Sequence, residues 1–524
     1  MTQKEIFALW KSLNPLDSFS LGLKEYAGKL WIPSHHNTKQ ALHKIDALIK
    51  KSDESTKAFL RSIKVELLYD EPQDPPGEVL SAFFAHLVIE GINNKHLLTL
   101  SEDCIQTLQV QKDLWNKQWP IELQIFTAQN CDGAISILDT IKKKTNRETT
   151  ESITSLQKQI KQWKEKICKI KVKGHDYKTI IPLLRKSSGI NRPLYGKILS
   201  DEYGYIESAE KIEQLATKWL VEEVKHFNKI QKKLATRYKC KQSVPEIERK
   251  IEKEFHVPPK KLVRTINRLR QVLEPMANKN LVKINKGYTV KVIETPSYLT
   301  PMLPTAAMQP FNGLTKPFNI FFATTDTKAS PSTSLPDVIQ TLIHEEYGHC
   351  VNFHNSYTKR KKLTDVLPCG LETPITEGIS FNREQEALTT LRQKPDSKLK
   401  KEVEKLAPYT NFVDAFEYTV RQWRLVRFLR AISDSRLNRG KQTLSEFIDW
   451  AHKQTGLEKD LIFHQTFHFQ ENPGYAPCYS IFGQRIKSMQ TKLKNIVPFN
   501  TYLASRGFPP RKLLEKELKK KFKV

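Results

Sequence analysis

The sequence predicts a mainly α-helical fold with one small β-sheet, and three observations carry that expectation. Apolar residues recur three and four apart through most of the first half of the chain. Only 19 glycines are spread over 524 residues, and strand-like alternation is confined to two short runs after Lys286-Gly287. The motifs GxGxxG, GxxxxGKS/T and GxSxG are missing, which argues against a dinucleotide fold, a P-loop enzyme and an α/β-hydrolase.

Taken in order, Leu42, Ile45, Leu48 and Ile49 begin one helical stripe, and Ile153, Leu156, Ile160, Trp163, Ile167 and Ile170 form another in a Lys-rich segment. The second stripe is barely three heptads long, which favours an antiparallel helix pair within the chain over an oligomeric coiled coil. The pattern breaks around Ser187-Ser188-Gly189 and Asn191-Arg192-Pro193, then resumes as helices over 210–235 and 245–277. Residues 288–293 and 318–323 alternate as strands. A helix follows, with Ser334 or Ser332 as its cap, Pro336 in its first turn, and Val338, Ile339, Leu342 and Ile343 on its buried face. The strand just ahead of it offers either a free edge for an extended peptide or one half of a structural hairpin. The chain divides at about residue 280 into a helical region, 1–280, and a second region, 281–524, read as one continuous fold.

With 39% hydrophobic and 27% charged residues, the chain has the balance of a soluble globular protein. Its net charge of +28 could attract nucleic acid, anionic membrane or acidic peptides, but the basic residues are scattered over 142–144, 158–173, 260–261, 359–362 and 511–523. They lack the aromatic interleaving of a base-stacking surface, so a solvated Lys-rich face is the expectation. Seven scattered cysteines without a CxxC pair suggest a reducing compartment. Residues 1–10 carry early charges, and no stretch of 18 apolar residues occurs, so the reading is cytoplasmic with no transmembrane segment.

The chemistry concentrates in His344-Glu345-Glu346-Tyr347-Gly348-His349. Two histidines flanking a glutamate on a helix are the elements of a hydrolytic zinc site, normally as H-E-x-x-H. Here the spacing is five, which on a regular helix sets the imidazoles roughly 140° apart against roughly 40° for the usual four. A one-turn π-bulge would bring them back together, and Gly348 lies where the distortion is needed. A catalytic zinc takes a third protein ligand, for which Glu377, 28 residues after His349, is the first candidate. Glu372, His354, Glu384 and Glu386 are rivals, Glu384 also being placed to orient a ligand from behind, and Cys350 is a possible adventitious thiol ligand.

These residues resemble a large, mostly uncharacterised family of bacterial zinc peptidases of gluzincin type. The likeness rests on Pro296, Pro317-Phe318-Asn319-Ile320, the His344 to His349 motif, Thr376-Glu377-Gly378 and the segment from Pro473-Gly474-Tyr475 to Tyr479-Ser480-Ile481-Phe482-Gly483. The family carries HExxPGH, EGWA and PGQAxSYxxG. Leu194 to Leu199 and residues 208–235 resemble it as well, so the likeness covers most of the chain. It implies a large helical metallopeptidase fold similar to the thimet and neurolysin oligopeptidases, with 1–280 as one wall of a cleft and 281–524 as the catalytic region. The HExxGH variant itself is found in dipeptidyl-peptidase III. Four departures stand out: the missing Pro of HExxPGH, Ile379 for Trp, Asn438 for the His of an Asp-x-x-x-His-x-Gly motif, and His468-Phe469 where the family tends to have Arg-Tyr.

The expected chemistry is hydrolysis of short peptides with one Zn2+ held by His344, His349 and Glu377. Glu345 would be the general base, and Tyr479 the donor to the oxyanion, with Tyr475 or His468 as substitutes. A zinc hydrolase of other amides or esters is a neighbouring reading. The alternative from another class is a catalytically altered homologue whose basic surface serves a nucleic-acid or protein interaction.

Overall fold

The computed structural model describes residues 3–68, 74–172, 174, 176–296, 299, 306–312, 317–325, 333–360 and 362–524. The fold is mainly α-helical with small sheets. The helices that matter for the site are α1 (Pro75–Ile89), α2 (Asn94–Val110), α3 (Arg147–Ile167), α4 (Ala209–Tyr238) and α5 (Leu262–Asn280) in the first half. In the second half they are α6 (Leu335–Leu342), α7 (Glu372–Gln393), α8 (Tyr409–Asn438) and α9 (Cys478–Gln490).

The predicted stripes are the buried faces. α3 buries Ile153, Leu156, Ile160, Trp163 and Ile167 against α2 and the helix Ile121–Lys142 of the same chain. Trp163 Nε1 donates to the Leu108 carbonyl at 3.1 Å, so the pairing is internal, while Ile170 lies beyond the helix end. The helix expected over 245–277 is two helices, Val244–Glu254 and α5, parted at Pro258-Pro259. Consecutive prolines fix φ and remove backbone donors, which a continuous helix cannot absorb. The gap has a use: His256–Val257 pairs antiparallel with Thr333–Ser334, tying down the start of α6.

Three strands form the other sheet: β1 (Val290–Glu294), β2 (Ala306–Asn312) and β3 (Pro317–Ala323). β3 is central, parallel to β1 and antiparallel to β2. The strand expected to present a free edge is therefore paired on both sides, and the outer edges belong to β1 and β2. β2 escaped the sequence reading because Pro310 demotes a strand signal; an edge strand is where such a residue is tolerated.

One hydrophobic core runs from Val79 to Ala504 and contains residues from both sides of position 280. α4 and α8 cross it side by side, joined by Glu223, which accepts from Arg421 Nη1 at 2.7 Å and Arg424 Nε at 3.0 Å. No helix among the described residues is long and apolar enough to cross a membrane.

Candidate metal centre

Ser334 starts the central helix with a capping box: its hydroxyl accepts from Asp337 N, and the Asp337 carboxylate faces Ser334 N. Ser332, the other expected cap, lies outside the described residues. Val338, Ile339, Leu342 and Ile343 are buried as expected. The helix then changes pitch. Residues Ile343–Cys350 form a π-helix, so the five-residue gap between His344 and His349 is taken up by one wide turn. Their ring centroids lie 5.0 Å apart.

Gly348 is required, but not for an unusual backbone angle. A Cβ built on it would lie 2.7 Å from Ser380 Cα, so the residue is small because α7 passes against the π-helix there. That close approach brings Glu377, on α7, to the two histidines. A second glycine contact sets the far side: a Cβ on Gly378 would sit 2.9 Å from Gly483 N, letting α7 and α9 touch backbone to backbone. Two glycines of the resemblance motifs thus have a packing role.

Glu377 Oε2 lies 3.5 Å from His344 Nε2 and 3.4 Å from His349 Nε2. Ligand arms of about 2.0–2.1 Å in tetrahedral array set donor atoms about 3.3–3.4 Å apart, so these spacings fit a zinc-sized ion. The same oxygen is buried with no hydrogen-bond partner, whereas Glu377 Oε1 accepts from Tyr475 Oη at 2.6 Å. One oxygen is held and its neighbour points at two imidazole nitrogens. The rival ligands are engaged or remote. His354 bonds the carbonyls of Asn285 and Lys286, and Glu386 bonds Arg383, Asn382, Gln490 and Asn500. Glu372 and Cys350 are not in the donor group, and burial keeps the Cys350 thiol protonated.

Glu384 does what its position suggested. It lies 2.7 Å from His344 Nδ1 and receives Gln340 Nε2 at 2.7 Å and a bidentate Arg427 at 2.6 and 2.8 Å. Arg427 also comes within 3.2 Å of His344 Nδ1, but a guanidinium only donates, so the Nδ1 proton goes to Glu384 and Nε2 is the nitrogen turned to the centre. Burial and Arg427 push the His344 pKa down, yet the hydrogen bonds to Glu377 and Glu384 outweigh them and bring it to about 9. Burial pushes Glu377 up, but the two histidines prevail and hold it well below the carboxylate range. The Nε2 proton that Glu377 stabilises sits where a cation would, so taking up an ion means releasing that proton.

The two adjacent glutamates divide. Glu346 is fully buried and takes two 2.7 Å bonds from Arg270 on α5, which pins the π-helix. Glu345 instead lines a cavity of about 300 Å³ with His344, Gln340, Trp423, Arg427, Arg430, Tyr479 and residues of α5, α6 and β3. Tyr479 is buried beside His344, ring centroids 6.3 Å apart, and burial first raises its phenol far above neutrality, so it keeps its proton.

Of the expected site residues, the structure brings together His344, Glu345, His349, Glu377, Tyr475 and Tyr479. It does not bring His468, which is exposed, lies tilted against Phe126 and Phe467 and is not among the cavity residues. Its neighbour Phe469 packs beside Tyr475 and Tyr479 instead. Ile379 points into a separate core with Phe482 and Ile486 and leaves the cavity untouched. Asn438 bridges Arg192 Nη1, at 2.5 Å, to Asp434 Oδ1, at 3.0 Å, and Asp434 receives Gly474 N and Tyr195 Oη. That network anchors the turn that delivers Tyr475. Trp423, Arg427 and Arg430 were missed by the sequence reading; the available signal is arginine recurring every third position along α8, at Arg421, Arg424, Arg427 and Arg430.

A second group with the same donor types exists among the described residues: His86 and Glu90 of α1 and its turn, with His96 of α2.

The sequence matches no protein-family model and no curated relative. Two solved structures share the fold over nearly the whole length, each described as a putative lipoprotein. One, from Colwellia psychrerythraea, has a TM-score of 0.65 at 15% identity, covering 99% of this chain and 98% of its own. The other, of unknown function, from Shewanella oneidensis, has a TM-score of 0.65 at 16% identity and covers 98% of each chain. Identities this low show a common fold alone.

Proposed function

We propose that this chain is a zinc-dependent peptidase acting on short peptides, of the gluzincin type that its motifs resemble. The observation that carries the reading is the buried, unbonded Glu377 Oε2 between His344 Nε2 and His349 Nε2, beside a cavity lined by Glu345. His344, His349 and Glu377 would hold the ion, which when bound supplies Lewis acidity that activates water and polarises a carbonyl. The protein's own part follows from the side chains around it. Glu345, partly exposed and in no ion pair among the described residues, takes the proton of the attacking water on its carboxylate and returns it to the leaving amine nitrogen. Tyr479 keeps its phenolic proton and offers it as a hydrogen bond to the oxygen that gains charge. Glu384 and Tyr475 orient His344 and Glu377, and the aromatic wall of Trp423 and Tyr479 excludes water.

The test is cleavage of a mixed library of short peptides by the purified, zinc-loaded protein, with and without chelator. Chelator-sensitive release of new amino termini supports the reading; a zinc-loaded protein that cleaves none of them contradicts it. The cytoplasmic reading is kept as part of the proposal on the seven unbridged cysteines, and cell fractionation checks it.

A further inference from the structure

α8 sends two guanidinium groups into the cavity, and they are not equivalent. Arg427 is neutralised by its bidentate pairing with Glu384. Arg430, one turn on, is 9% exposed and in no ion pair with a carboxylate among the described residues. Its Nε donates to the Gln465 carbonyl at 3.1 Å and its Nη2 to the Gln465 side-chain oxygen, which leaves Nη1 without a partner among those residues. The rest of its surroundings are ring faces: Phe469 at 4.2 Å, Tyr479 at 5.2 Å and Trp423 at 5.8 Å. Rings attract a cation, but they do not replace a counter-charge once it is out of water. A buried guanidinium without a carboxylate is costly to keep, and here it faces the cavity that holds Glu345 and His344. Burial lowers its pKa, and the charge is kept because an arginine guanidinium stays protonated in proteins.

We propose that Arg430 is the anchor of a carboxylate-binding subsite, and that the group it takes is the free C-terminal carboxylate of a peptide substrate. Distance ties that carboxylate to the reacting bond. Tyr479 neighbours both groups, its ring 6.3 Å from that of His344 and 5.2 Å from the Arg430 guanidinium. Arg430 is thus within about three residues of extended chain from the candidate centre, at ~3.5 Å per residue. A carboxylate held there places the scissile bond within the last few residues of the substrate, so the enzyme trims short peptides from the C-terminal side. This inference rests on the peptidase reading above for its catalytic consequence, but the binding it describes does not.

The test uses Glu345→Gln protein, which should bind without turnover, and dansyl-tetraalanine as the free acid and as the C-terminal amide, with affinity read by fluorescence. A third probe is an amidated tetrapeptide carrying one internal glutamate. The free acid should bind about tenfold or more tighter than the plain amide, in line with a charge-assisted hydrogen bond. Arg430→Gln should erase that difference, and Arg430→Lys should retain part of it. Equal affinity for acid and amide overturns the subsite, with no need of an Arg430 variant that might misfold. A preference that follows the internal glutamate and ignores the terminus overturns the terminal assignment. Acid-selective binding by a protein whose wild type cleaves nothing supports the subsite while sinking the peptidase reading; cleavage blind to amidation does the reverse.

Discussion

Among the described residues the chain holds two clusters of two histidines and one glutamate, and comparing them shows what donor identity alone leaves undecided. In the cluster of α1 and α2, His86 Nε2 lies 3.3 Å from Glu90 Oε2 and His96 Nδ1 lies 2.8 Å from the same oxygen. Those spacings are as short as those around Glu377. What differs is the support. His344 is backed by Glu384, itself fixed by Gln340 and Arg427, whereas His86 is backed by an apolar stack on Phe19 at 5.3 Å. Glu377 keeps one oxygen bare, whereas the shared oxygen of Glu90 is spent on His96 and its other oxygen on Asn93. None of the three lines the cavity that Glu345 and Tyr479 share. The charge logic is opposite as well: burial drives the His86 pKa down to about 4, while carboxylates carry His344 up to about 9. A metal centre needs its ligands oriented from behind and its open side facing a cavity, and only the second-half cluster has both.

The largest effect expected from that contrast is on turnover. Glu345→Gln should keep stoichiometric zinc and cut peptide hydrolysis by roughly 10²- to 10⁴-fold, while His96→Ala leaves turnover near wild type; steady-state kinetics on one peptide measures both. Next comes affinity. Glu384→Gln should weaken zinc binding about 10- to 100-fold, by competition with a zinc-sensitive dye, and Asn93→Ala should not change it. Stability follows: Gly348→Ala must push α7 off the π-helix at Ser380, so denaturant unfolding should show a loss of about 1–3 kcal/mol. Last comes the pH profile of the zinc-free protein. His344 is raised in the fold from 6.5 to about 9, so its contribution is complete below pH 6.5 and fades as pH rises through 9. His86 is lowered from 6.5 to about 4, so its contribution is complete above pH 6.5 and fades as pH falls towards 4. His344→Ala should flatten the alkaline limb of the melting profile and His86→Ala the acid limb; the converse assignment would break the comparison.

Much of this was legible in the sequence, for reasons the structure makes concrete. The helical stripe of α3 is readable because burial enforces a 3.6-residue period, and the π-turn follows from asking how two histidines five apart could share one ion. Glu384 was within reach because it lies seven residues, two helical turns, along the same face of α7 as Glu377. What the sequence hides is what depends on crossing helices. Arg427 and Arg430 enter the cavity from α8, far from every motif, and nothing local marks which arginine finds a carboxylate and which does not. The proline-bearing edge strand β2 is invisible for a different reason: its partner supplies the order that its own residues do not encode. His468 looked functional because it neighbours the Pro473 motif, but the turn sends Phe469 inward and leaves His468 outside.

The most direct measurement of the central claim is zinc stoichiometry and affinity in the wild type, in a His349→Ala/Glu377→Gln double variant and in a His86→Ala/His96→Ala double variant, by elemental analysis and calorimetric titration. The account predicts one tightly held zinc in the wild type and in the His86/His96 variant, and none in the His349/Glu377 variant. A wild type that holds no zinc, or a zinc that persists without His349 and Glu377 and leaves with His86 and His96, would contradict it.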